Sequence, residues 1–136
     1  MKLRHLIVVG ALLLVALWFV LKVAAQPLVP HAFWGSLIQG GVSAPAGSVV
    51  IARVEGRQVG SIVTTNAGWY GTKSAVYREG EQHLTVQGAD LGDGQPIQFY
   101  VNGMLANQQG AFRSGDVTRL DLTAAAVPTP IPTPIP

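Results

Sequence analysis

The chain has 136 residues, no cysteine and a formal net charge of +2. This length allows one domain, and the lack of cysteine excludes a disulfide framework, a thiolate metal site and a catalytic thiol. Lys2, Arg4 and Lys22 lie in the N-terminal segment, and from Gln26 onward six basic residues stand against seven acidic ones, a net charge of −1. These basic residues are scattered, so they give no patch for phosphates, and nucleic-acid binding is excluded.

Residues 1–25 have the layout of an export signal. A short basic stretch, Met1–His5, precedes the continuously apolar Leu6–Leu21, and small residues allow cleavage after Ala25. An uncleaved membrane anchor is the alternative. Sixteen apolar residues span only about 24 Å of helix, but Lys22 can snorkel and Val23–Ala25 would bring the stretch to about 20 residues. We favour cleavage, and both forms place the following domain outside the cytoplasmic membrane.

Residues 26–31 are predicted to be a linker, and residues 32–124 a single all-β domain. Short β-rich runs in this region are separated by Gly, Asn, Asp and Pro, the pattern of a domain built from many short strands. The predicted strands are Ala32–Gln39, Ser48–Glu55, Gln58–Thr65, Trp69–Gly71, Gln82–Gln87, Ile97–Asn102 and Val117–Thr123, with a weaker candidate at Met104–Asn107.

Two of these runs predict where the core lies. Ile97, Phe99 and Val101 recur at every second position, so they should face the core and place Tyr100 on the opposite face. Ser48–Val54 is apolar on both faces, which predicts a central strand.

Residues 125–136 form a Pro-rich tail. From Val127 onward alternate prolines remove backbone donors and hold the chain near polyproline II, so the tail cannot join a sheet. Extended, it is a semi-rigid spacer of roughly 30 Å. The tail has no hydrophobic segment, and we therefore expect any membrane attachment at the N-terminus.

Four stretches of the β region have a distinctive order of residues: Phe33–Leu37, Gly41–Ala52, the T-x-x-x-G-x-Y pattern ending at Tyr70, and Gly94–Gly103. In these stretches the chain resembles carboxypeptidase-regulatory-like and prealbumin-type (transthyretin-like) domains, and Gly94–Gly103 is similar to a variant in bacterial envelope proteins. The resemblance covers Phe33–Thr123. It implies a single Greek-key β-sandwich, immunoglobulin-like or transthyretin-like, with seven or eight strands and generally without catalysis.

The sequence contains no pattern typical of a catalytic site. None of the histidines, His5, His31 and His83, lies in a recognisable nucleophile–base motif, so we predict neither an enzyme nor a cofactor. Asp90 and Asp93 are weak candidates for a Ca²⁺ site. Their loop matches no EF-hand spacing, and turn geometry is the favoured interpretation.

Aromatic residues give the clearest candidate ligand site. Trp34, Trp69, Tyr70 and Tyr100 can offer flat apolar faces with polar rims, as sugar stacking requires. The favoured alternative is that Trp34 and one of Trp69 or Tyr70 close the ends of the core.

The sequence predicts a non-catalytic exported module of the cell envelope or surface that acts in adhesion, scaffolding or protein interaction. Its expected partners are an envelope protein or a polysaccharide, and the membrane itself if the N-terminal helix is retained. A small carbohydrate-binding protein is the alternative, and a piece of a larger surface protein is a third. Edge strands are the expected protein-binding surface, with Arg57, Lys73 and Arg78 as possible charged guards.

Overall fold

The computed structural model describes residues 3–5, 7, 28–72 and 82–136. Residues 3–5 and 7 are helical, whereas the rest of the predicted leader, including the cleavage position at Ala25, lies outside the described residues. Within the described ranges, no helix has the length and apolar character needed to cross a membrane.

The described residues form ten strands in one curled, mixed sheet, which confirms the prediction of a mainly β fold. Along the main path the order is β2-β1-β10-β8-β7-β3-β4, and β5, β6 and β9 pair with β1 beside that path. The strands are β1 (His31–Gln39), β2 (Val42–Ser43), β3 (Val49–Val54), β4 (Arg57–Val63), β5 (Trp69–Tyr70), β6 (Leu84–Val86), β7 (Pro96–Val101), β8 (Met104–Ala111), β9 (Val117–Arg119) and β10 (Leu122–Ala124).

β1 holds the sheet together because it pairs with five other strands. Its first half pairs with β6 and β9, its centre with β5, and its second half with β10 and β2. This arrangement brings β6 back towards β4, the last strand of the path. Gln87 N–H donates to Val59 C=O at 3.1 Å there, and a Cβ atom at Gly60 would lie 2.3 Å from the Thr85 carbonyl oxygen.

The predicted strand Val117–Thr123 is divided in two by Leu120 and Asp121. Both parts, β9 and β10, run parallel to β1 in the same register. At the interruption the Ser36 N–H has no carbonyl of the ladder to bind, and it donates instead to the Asp121 carboxylate at 2.9 Å. The Asp121 side chain thus keeps β1 hydrogen-bonded where its partner strand is interrupted.

The core fills the inside of the curl. Ile97, Phe99 and Val101 are fully buried, as their spacing predicted, while Tyr100 on the same strand is half-buried on the opposite face. β3 lies between β4 and β7, which confirms its prediction as a central strand. β8 extends four residues beyond the predicted Met104–Asn107, because polar residues continue along its outer face.

Gln39 and Asn102 form a satisfied polar pair beside the core. The Gln39 amide donates to Val101 C=O and Ala125 C=O, both at 3.1 Å, and accepts from the Asn102 amide at 2.9 Å. The Asn102 side chain in turn accepts the Val49 N–H at 2.9 Å. Buried amides of this kind are stabilising only when every donor and acceptor is used, so the pair fixes how β1, β3 and β7 meet.

His31 is buried and neutral. Its Nδ1 accepts the Arg113 N–H at 3.0 Å, so the ring proton is on Nε2, which donates to Thr118 Oγ1 at 2.7 Å. Burial lowers the pKa of His31 below its usual 6.5, and nearby Arg113 lowers it further, while Asp116 and Asp93 act in the opposite direction. The folded state therefore resists protonation at this position.

We expect Gly60→Ala to destabilise the fold by about 1–3 kcal/mol, because the new methyl group would overlap the Thr85 carbonyl. Gly92→Ala is the matched control, since a Cβ atom at Gly92 meets nothing within 4 Å. Urea unfolding of the two variants measures the difference. Equal stability of the two variants would contradict the close approach of β4 and β6.

Acid should weaken the fold through His31. Below pH 6.5 the unfolded chain binds a proton at His31 that the folded chain, with its lowered pKa, does not yet bind. The free energy of unfolding should therefore fall as the pH drops from about 7 through this window, by at most about 1.4 kcal/mol per pH unit. His31→Gln, measured by urea unfolding at the same pH values, should lose most of this slope. An unchanged slope would argue against the neutral, buried ring.

Candidate functional site

The structure separates the four predicted aromatic residues into three environments. Tyr70 is fully buried, and its hydroxyl donates to the Leu120 carbonyl. Burial raises the pKa of the Tyr70 hydroxyl strongly, so it remains a protonated donor. Trp34 is also buried, at 7% exposure, whereas Trp69 and Tyr100 are half-buried. Tyr70 therefore belongs to the core and offers no face to a ligand.

Trp34, Trp69 and Arg119 form one stacked cluster. The two indole rings are 6.4 Å apart between centroids and inclined by 17°. The Arg119 guanidinium carbon lies 5.3 Å from the Trp34 centroid and 5.5 Å from that of Trp69, and its Nε is 3.2 Å from an Asp121 carboxylate oxygen. This cluster covers the interruption between β9 and β10, so its geometry favours a structural role over a ligand platform.

Tyr100 lies elsewhere, on the outer face of the sheet. Its neighbours across the ladders are Leu105 on β8 and Ile51 on β3. The guanidinium carbon of Arg53 lies over the Tyr100 ring, 4.9 Å from its centroid. Tyr100 and Trp69 share neither a strand nor a strand pairing.

The two candidate metal ligands are engaged by protein groups. Asp90 forms an exposed salt bridge of 2.8 Å with Arg57, whose hydrogen bond is the main cause that lowers the pKa of the Asp90 carboxyl. Asp93 accepts the Ser114 N–H at 2.8 Å, which ties its loop to the turn after β8. In the part of the chain that the structure describes, no three His, Asp or Glu residues gather in a way that would hold a metal ion.

A groove lies between the second half of β4 and the start of β6. Its two adjoining parts have volumes of about 750 Å³ and about 550 Å³ and share the wall from Ile62 to Thr65 together with Gln82. The described lining carries no Lys, Arg, Asp or Glu. It consists of Ser61, Ile62, Val63, Thr64, Thr65, Asn66, Ala67, Trp69, Gly71, Thr72, Gln82, His83 and Thr85.

One wall of this groove is the free edge of the sheet. Thr64 N–H donates to Ser48 C=O at 2.8 Å and Thr64 C=O accepts from Gly47 N–H at 2.7 Å, so the backbone of Thr64 points towards the β3 side. Backbone groups alternate in direction along a strand. Those of Ser61 and Val63 consequently point the other way, towards the groove, and the strand order assigns β4 no neighbour on that side among the described residues.

The sequence predicted edge strands as an interaction surface but did not identify which strand would end the sheet. Of the three proposed guards, Arg57 begins β4 and is bound to Asp90, whereas Lys73 and Arg78 lie outside the described residues. The sequence nevertheless contained a signal for an unprotected edge at β4. Gln58–Val63 has neither a charged residue nor a proline, which are the usual means of protecting an edge strand.

Comparison with known proteins adds no identification. No family model matches the chain, and no curated protein or solved structure matches it significantly. The groove and the outer sheet face are therefore the features of the molecule that bear on its function.

Two tyrosines offer a matched test of the assigned environments. Tyr70→Phe should lower the free energy of unfolding by about 1–3 kcal/mol, because it leaves the Leu120 carbonyl without its buried donor. Tyr100→Phe should change it by no more than about 0.5 kcal/mol, as for other surface substitutions. Thermal or urea unfolding measures both. Equal losses would contradict the burial of Tyr70 or the exposure of Tyr100.

Proposed function

We propose that the protein is a non-catalytic, exported interaction module that binds an extended segment of a partner protein along β4. The observation that carries this proposal is that no described strand pairs with the outer edge of β4, which lies beside an open groove. An extended segment placed there would add a strand to the sheet, with main-chain hydrogen bonds to Ser61 and Val63. The groove would receive its alternate side chains.

The chemistry of the groove supports this mode of binding. Val63 is 57% exposed, and the described lining combines aliphatic, hydroxyl and amide side chains without formal charge. Such a surface favours an uncharged segment with small or apolar residues at every second position, since those side chains would point into the groove. A charged segment would find no counter-charge among the described residues of the lining.

The same proposal includes the type of β-sandwich, the N-terminal helix and the C-terminal spacer. We take the curled sheet to be a Greek-key β-sandwich of the carboxypeptidase-regulatory-like or transthyretin-like type, following the N-terminal helix. In support, Gly68 in the T-x-x-x-G-x-Y pattern has a positive φ of 75°, and Tyr70 of the same pattern is fully buried. Residues 125–136 have no regular structure and are exposed, as a spacer would be.

Strand addition can be tested with a displayed library of short peptides. Enriched peptides should bind the domain, and Ser61→Pro should weaken that binding at least about tenfold, because proline removes the N–H that faces the groove. Ser61→Ala is the matched control, since it keeps the N–H and should bind within about twofold. Fluorescence anisotropy measures the affinities, and circular dichroism verifies that both variants fold.

Two results would contradict strand addition. One is that no peptide of the library binds. The other is that Ser61→Pro and Ser61→Ala bind equally well while both are folded, because the backbone of β4 would then contribute nothing.

Export can be tested separately by intact mass spectrometry of soluble and membrane fractions from the native host. A chain beginning at Gln26 in an extracytoplasmic soluble fraction would indicate cleavage after Ala25. A chain that retains its N-terminus in the membrane fraction would indicate an anchored domain. Full-length protein found only in the cytoplasm would overturn the exported location.

A further inference from the structure

The outer face of β8, β7 and β3 carries two neighbouring rows of side chains. The apolar row consists of Leu105, Tyr100 and Ile51, which are paired across the ladders. The polar row consists of Gln109, Gln98 and Arg53, paired in the same way, and ends at Gln58 on β4. Alternation opposite the buried Phe99 and Ala52 places both rows outside the core.

Arg53 lies where the two rows meet and is held in place by the sheet. Its guanidinium packs over the Tyr100 ring, 4.9 Å from the centroid. Its Nε is buried and has no hydrogen-bond partner, and Arg53 has no salt bridge to any described residue. Stacking on an aromatic ring restrains an arginine side chain and leaves its terminal N–H groups available. Those two terminal nitrogens are the groups that a ligand would meet.

We propose that this face binds a polysaccharide that carries carboxylate groups. A carboxylate of the sugar would accept two parallel hydrogen bonds from the terminal nitrogens of Arg53. The apolar side of the sugar ring would lie on the row formed by Leu105, Tyr100 and Ile51. The side-chain amides of Gln98 and Gln109 both donate and accept, as sugar hydroxyls do, and would bind the hydroxyls along the polar row.

The charge distribution favours a carboxylate over a neutral sugar. Arg53 is a cation without an acidic neighbour in the two rows, and its buried Nε has no hydrogen-bond partner. The chain after residue 25 carries a net charge of −1, and an acidic polymer would not be attracted by the domain as a whole. Binding would therefore depend on this one guanidinium and its neighbours.

The side chains of the face also favour a sugar over a protein partner. The centre of a stable protein interface is a closely packed, mostly apolar patch. Here half of the positions are glutamine or arginine, and the apolar row is a single residue wide on each strand. An acidic peptide is still the competing ligand, and the experiment includes it. None of the residues in the two rows lines the β4–β6 groove, so neither proposal depends on the other.

The test is isothermal titration calorimetry of the folded domain with polygalacturonate, alginate and hyaluronate, each compared with its carboxyl-reduced neutral form and with poly-L-glutamate. At least one acidic polysaccharide should bind at low ionic strength, and its neutral form should bind at least about tenfold more weakly. Arg53→Gln should weaken binding about 10- to 100-fold, and Tyr100→Ala about 5- to 10-fold.

Arg57→Gln is the matched control, because Arg57 is an exposed arginine at the start of the adjacent strand that already pairs with Asp90. It removes the same charge and should change the affinity by less than twofold. The proposal is overturned if none of the three acidic polysaccharides binds, or if Arg57→Gln weakens binding as much as Arg53→Gln. It is also overturned if poly-L-glutamate binds as tightly as the polysaccharide. Urea midpoints close to wild type show that the variants remain folded.

Discussion

The whole sheet depends on the pairing of β1 with strands from both halves of the chain. β9 and β10 lie alongside it in a single parallel register, and β2, β5 and β6 pair with it in the antiparallel sense. A strand with so many partners must bend across the core, and the sheet curls with it. Gly35 lets the Leu120 carbonyl approach the backbone of β1 closely. A Cβ atom at position 35 would lie only 2.4 Å from that carbonyl oxygen.

The curl determines which surfaces are available for binding. At Gly60, β4 lies close to β6. Beyond Gly60 the two strands diverge, and the groove opens between them. Across β3 and β7 the sheet turns its other face outward and presents Arg53 on Tyr100. An interaction module with two separate binding surfaces, one for an extended peptide and one for an acidic sugar, would suit a position between envelope components.

Much of the fold could be predicted from local patterns. The alternation at Ile97–Val101 and the two-sided apolar run of β3 follow from the geometry of strands, and both were confirmed. The position of β4 at the end of the sheet depends instead on which distant strands pair, such as β1 with β10 and β3 with β7, and no local pattern encodes those pairings. The same applies to the aromatic candidates: the sequence left open whether Trp69 or Tyr70 would close the core with Trp34, and the structure buries Trp34 and Tyr70.

The central claim, that β4 is a free edge facing an open groove, can be tested by residue-resolved hydrogen–deuterium exchange. The amides of Gly60 and Ile62, which face β3 in the ladder, should be protected, whereas those of Ser61 and Val63 should exchange rapidly in the isolated protein. Exchange of solvent-facing amides is fast because no opening of the sheet is needed. Strong protection at both Ser61 and Val63 would mean that the edge is already paired, and it would contradict the account.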